Sequence, residues 1–143
     1  MIGRIVWGTV ADRTGRPLLL LGGLAFAMTV CALVATTFDA SWPLGMIGVV
    51  VFVFGGTAIA WNGVHLAQVA RHAPAGKAGE ITGGTSFFTF GGVVVVPSIF
   101  SAVLSGTGSY AVAFGLAAVA TFVAGLTLVA SARSGLSAPP SAA

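Results

Sequence analysis

The chain has 143 residues, of which 57% are hydrophobic and only 6% charged, with a mean hydropathy of +1.04. A soluble domain carries about 25% charged residues, so this chain cannot cover a water-facing surface, and its solvent must be lipid. The pI near 10.0 does not mark a nucleic-acid binder, because six basic residues spread along the chain make no stripe or patch.

In chain order, an apolar run from Ile5 to Ala11 leads into a charged hairpin, Gly8-Thr9-Val10-Ala11-Asp12-Arg13-Thr14-Gly15-Arg16-Pro17. Four stretches follow, at 17–36, 44–70, 81–104 and 110–132, each long enough to cross a bilayer, which takes about 20 apolar residues. Pro17 and Pro43 stand where helices begin, since the N–H they lack would be unpaired there anyway, and Ser41 is a candidate N-cap. Arg71 ends the second stretch with a cation that suits the helix dipole, and Pro74 blocks continuation. Glu80 opens the third with the charge an N-terminus prefers. Ser105 to Ser109 reads as a minimal polar turn, and Trp42 and Tyr110 fall where interfacial aromatics are expected. A secretory signal over 17–36 is disfavoured, because an apolar run precedes the hairpin and three further spans follow. Cys31 is the single cysteine, so no intramolecular disulfide forms.

The basic residues predict orientation. Arg13 and Arg16 fall in the first loop, Arg71 and Lys77 in the third, and Arg133 after the last span, while loops 37–43 and 105–109 carry only Asp39. The positive-inside rule therefore makes loops 12–16 and 71–80 and the C-terminus cytoplasmic in a multi-pass protein of the cell membrane. The tail, 134–143, is small, polar and expected to be disordered. Residues 1–133 form one transmembrane region.

Polarity ranks the spans. The second carries Trp61, Asn62, His65 and Gln68. The third carries Thr82, Thr85, Ser86, Thr89, Ser98 and Ser101, two glycine pairs and Pro97. Polar groups in a membrane are costly unless they face protein or water. The middle spans are therefore expected to face a bundle interior and the first and fourth to face lipid.

In the hairpin, Gly8 keeps the incoming helix end slim and Gly15 permits the positive φ of a tight reversal. Arg13 and Arg16 suit the negative end of that helix, whereas Asp12 is repelled by it. A foreign cation or helix N-terminus facing Asp12 would explain the acid; a solvated turn is the plainer alternative.

The spacing Gly8-x-x-x-Asp12-Arg13-x-Gly15-Arg16 resembles the cytoplasmic loop motif of the major facilitator superfamily, G-x-x-x-D-R-x-G-R-(R/K), with Pro17 in place of the final basic residue. Arg71 to Glu80 is similar to the loop between that family's tenth and eleventh helices. Phe90-Gly91-Gly92 through Pro97, then Thr107 to Tyr110, are similar to its eleventh helix and last external turn. The resemblance implies an all-α membrane fold: a short N-terminal helix end plus four transmembrane helices, part of a six-helix half-bundle. It also implies a gating role for Gly8, Asp12, Arg13, Gly15, Arg16 and Glu80, with Glu80 expected to pair with Arg13 or Arg16. The tenth helix of that family faces the central cavity, which matches the polar second span here.

Trp61, Asn62 and His65 are thus candidates to line a solute cavity. Asn62 and His65 could equally form a hydrogen-bonded pair between helices, and Trp61 could simply pack. His65 and His72 have no carboxylate or thiolate beside them to complete a metal site. No phosphate loop or nucleophile with its base occurs, so neither enzyme activity nor a cofactor is expected. The resulting expectation is a fragment of a secondary transporter for a small solute, acting by alternating access, inactive alone and needing the missing N-terminal half. Its partners are the bilayer and that solute, not nucleic acid. The alternative is a small four-span protein with a structural or assembly role.

Overall fold

The computed structural model describes Val10 and residues 13–134. These form four helices: α1 Pro17–Ala35, α2 Leu44–His72, α3 Ala78–Thr107 and α4 Tyr110–Arg133. All four are long and apolar enough to cross a membrane, at the positions read from the sequence and within a few residues of the expected ends. A bilayer offers the backbone no hydrogen-bonding partner, so each span must satisfy its own N–H and C=O groups as a helix.

The helix ends follow local chemistry. Pro17 lies in the first turn of α1 behind the N-cap Arg16, and Gly15 turns the chain with a φ of 60°, as the hairpin requires. Pro43 is itself the N-cap of α2. Ser41, expected to cap that helix, instead donates its backbone N–H to Asp39 Oδ1 at 2.7 Å. Its hydroxyl bonds the same oxygen, and these bonds hold the exposed Asp39 carboxyl below its ordinary pKa. The turn between α3 and α4 is shorter than the expected 105–109. Ser105 and Thr107 keep the helix going by donating to the carbonyls of Ala102 and Val103, and Gly108 ends it with a φ of 64°. Ser109 then caps α4 through Val112 N–H.

Packing reverses the order expected from polarity. The tightest contact joins α1 to α4, the next joins α1 to α2, and α3 touches only α2 and α4, lightly. Leu21, Gly22, Leu24, Thr29, Ala32 and Ala35 are buried on α1, whereas no residue of α3 is buried. The first and fourth spans are therefore the core of this chain rather than its lipid-facing rim. Two physical causes explain the reversal. Apolar side chains gain nothing by leaving lipid, so membrane helices associate where small residues let backbones approach. Gly22 and Gly125 provide that approach: a Cβ on Gly22 would lie 2.8 Å from Val129 Cγ2, and one on Gly125 would lie 3.1 Å from the Phe26 ring. The hydroxyls of α3, in turn, need no partner helix. Thr85, Thr89 and Ser98 donate to the carbonyls of Ile81, Thr85 and Val94 one turn back, so a hydroxyl in this helix satisfies itself.

Two further contacts fix the α1–α4 register. Phe26 meets Phe122 edge-on with ring centroids 5.7 Å apart. Thr29 Oγ1 and Thr121 Oγ1 lie 2.9 Å apart across the interface; one hydroxyl donates to the other, and the one that accepts keeps its own proton for a carbonyl of its own helix. Thr29→Val should destabilise the chain by only about 0.6 kcal/mol, the average for such interhelical bonds in membranes, because Thr121 keeps its intrahelical partners. Reversible unfolding in mixed micelles checks this; a loss beyond about 1.7 kcal/mol would mean the pair is more than a register pin.

Candidate functional site

Since α2 and α4 both lean on α1 and their backbones stay apart from each other, a groove remains between them with α1 as its floor. Its volume is about 490 Å³. The floor is Leu21, Ala25 and Met28; α2 contributes Trp61 and His65; α4 contributes Thr121, Ala124, Thr127 and Leu128. Helical spacing places them there: 21, 25 and 28 recur at i, i+4 and i+7, and 121, 124 and 128 at i, i+3 and i+7, each set on one face. Leu21 and Val64 are buried, packed with Leu18, Trp61 and Leu128.

Trp61 and His65 sit one turn apart with ring centroids 5.6 Å apart and planes tilted by 50°. Both are half-buried. The hydroxyls in the groove are largely satisfied: Thr121 donates to Ala117 and Ala118 carbonyls and Thr127 to that of Ala124. The walls therefore offer methylenes, two rings and no fixed charge.

Of the three cavity candidates, the groove unites Trp61 and His65. Asn62 is half-buried but does not line it. Among the described residues, no hydrogen bond links Asn62 or His65 to another helix, and the ring partner of His65 belongs to its own helix. Met28, Thr121 and Thr127 are groove residues that polarity ranking missed, because it assigned their helices to the lipid.

The hairpin is described in part. Arg13, Gly15 and Arg16 are exposed, and Thr14 donates to the Val10 carbonyl at 2.9 Å. Gly8 and Asp12 lie outside the described residues. Glu80 occupies the first turn of α3 and is exposed. It forms no ion pair with Arg13 or Arg16, contrary to expectation. Glu80 stands on α3, whose backbone does not come close to α1, the helix that the hairpin leads into.

The charges are segregated. The antiparallel order of the helices puts Arg13, Arg16, Arg71, Lys77, Glu80 and Arg133 at one end and Asp39 at the other. Comparison with protein-family models, with curated proteins and with solved structures returned no match.

Proposed function

We propose that this chain is part of a secondary-active membrane transporter of the major facilitator type, moving a small solute together with helices beyond these four. The hairpin carries the proposal. Its spacing matches that family's loop motif, and Gly15 turns at positive φ between exposed Arg13 and Arg16, a geometry that leaves both guanidinium groups available to a gate. The exposed length of α3 fits the same reading, since in a larger bundle that helix would meet further spans.

The exposed α3 also favours the second reading, a four-span assembly protein whose third helix meets copies or partners. One observation separates the two: the nucleotide sequence upstream of the Met1 codon. The transporter reading expects an open frame, or an adjacent gene, that supplies about eight more spans. A frame that starts at Met1 with no such neighbour supports the assembly protein. Reconstituted alone, the 143-residue chain should move no solute, and robust uptake by it would overturn the fragment reading.

A further inference from the structure

We infer that the groove between α1, α2 and α4 binds a small neutral phenol, its hydroxyl on the His65 imidazole and its ring against Trp61. The inference claims binding and not passage, and it stands on these helices whether or not the chain belongs to a transporter.

Unmet nitrogens are the first argument. A histidine inside a membrane span is costly unless a partner meets it. His65 stands on the membrane-spanning α2 and lines the groove. Among the described residues its imidazole makes no hydrogen bond, only the ring contact to Trp61, and the indole N–H of Trp61 has no partner either. Neither ring is sealed in. Among the described residues no buried side-chain nitrogen or oxygen lacks a partner, so the nitrogens of these two half-buried rings open onto accessible space. In its neutral form an imidazole offers one N–H and one bare nitrogen. A hydroxyl, donor and acceptor in one group, matches either.

The other walls set the rest of the ligand. Thr121 and Thr127 commit their protons to Thr29 or to carbonyls of their own helix. The lining holds no charged side chain, so an ion would stay unpaired there. Leu21, Ala25, Met28 and Ala124 present an apolar surface. An aromatic body gains there beyond its area, from the Trp61 ring and from the Met28 thioether. The volume of about 490 Å³ falls in the range of about 300–1,000 Å³ that small-molecule sites occupy.

The test uses the full chain in phosphatidylcholine vesicles, with Trp61 as its only tryptophan through Trp7→Phe and Trp42→Phe. It is titrated with 4-bromophenol, or with bromobenzene, which lacks the hydroxyl. A second reporter, Trp7→Phe with Trp61→Phe, leaves Trp42 to record quenching by probe merely dissolved in the bilayer. Quenching of Trp61 by 4-bromophenol should saturate, whereas that of Trp42 should rise linearly. Bromobenzene should bind about two- to twelve-fold more weakly, the worth of one net hydrogen bond. His65→Leu should bring 4-bromophenol to the bromobenzene level and leave bromobenzene unchanged, which also reports an intact groove. Ala124 is exposed on its helix, and Ala124→Leu, filling the groove, should abolish saturation by both probes. Linear quenching of Trp61, equal affinity for the two probes, an unchanged preference in His65→Leu, or saturation that survives Ala124→Leu would each overturn the inference.

Discussion

Gly22→Leu should separate α1 from α4 and destabilise the chain by about 1–3 kcal/mol, the range for overpacking a filled contact. At Gly22 even the first added carbon would stand 2.8 Å from Val129 Cγ2, with the Gly125 carbonyl oxygen at 3.6 Å and Leu128 Cβ at 3.8 Å. Val129 cannot swing aside, since a β-branched side chain in a helix has one strongly preferred rotamer. The helices must therefore part, and with them the Thr29–Thr121 bond and the Phe26–Phe122 contact. Gly23→Leu is the matched control. Nothing lies within 4 Å of a Cβ at Gly23, and leucine is the better helix former, so this variant should be neutral or slightly stabilised. Unfolding in mixed micelles compares the two; equal stability of both variants would remove Gly22 from the interface.

Asp12→Asn, made in the intact transporter proposed above, should impair transport while leaving expression largely unchanged. The sequence puts Asp12 just after an apolar run that reads as a helix end, where a carboxylate is unfavourable unless it meets a foreign helix N-terminus. The gain is about 0.3–1 kcal/mol when exposed and up to about 2 kcal/mol when partly buried. Lost from one gate state, the upper figure moves the gate equilibrium about 30-fold. In the resembled family, acids of this loop are thought to latch the gate against the opposite half of the protein. Normal solute uptake by the variant would reduce Asp12 to a solvated turn residue and withdraw the gating assignment from Gly8, Arg13, Gly15 and Arg16 with it.

The spans and their ends were readable because each signal is local. Pro17, Pro43, Gly15 and Arg71 act on backbone within a turn of themselves, and an apolar run of span length has one stable form in lipid. The packing was not readable from polarity. Hydroxyl side chains such as Thr85 and Thr89 count as polar in a sequence yet satisfy themselves on their own helix, so they do not reveal which face seeks a partner. The informative residues were Gly22 and Gly125, whose role depends on Val129 and Phe26, far away along the chain. The α2 wall of the groove, Trp61 and His65, stood out because aromatic and imidazole rings are conspicuous in an apolar span. The rest of it, Met28 and Thr127 included, looks like any lipid-facing stretch until α1 and α4 are placed together. The Glu80 pairing failed for a related reason: loop order put two loops and the C-terminus at one end, but Glu80 stands on a helix whose backbone does not come close to α1.

The central claim is that four helices cross a membrane with their basic ends on the cytoplasmic side. Site-directed cysteine labelling with a membrane-impermeant maleimide in intact cells tests it most directly, after Cys31→Ser removes the native thiol. Asp39→Cys and Gly106→Cys should label from outside, whereas Thr14→Cys, Ala75→Cys and Ser137→Cys should label only after the membrane is opened. External labelling of Ala75→Cys would contradict the span count and the orientation together.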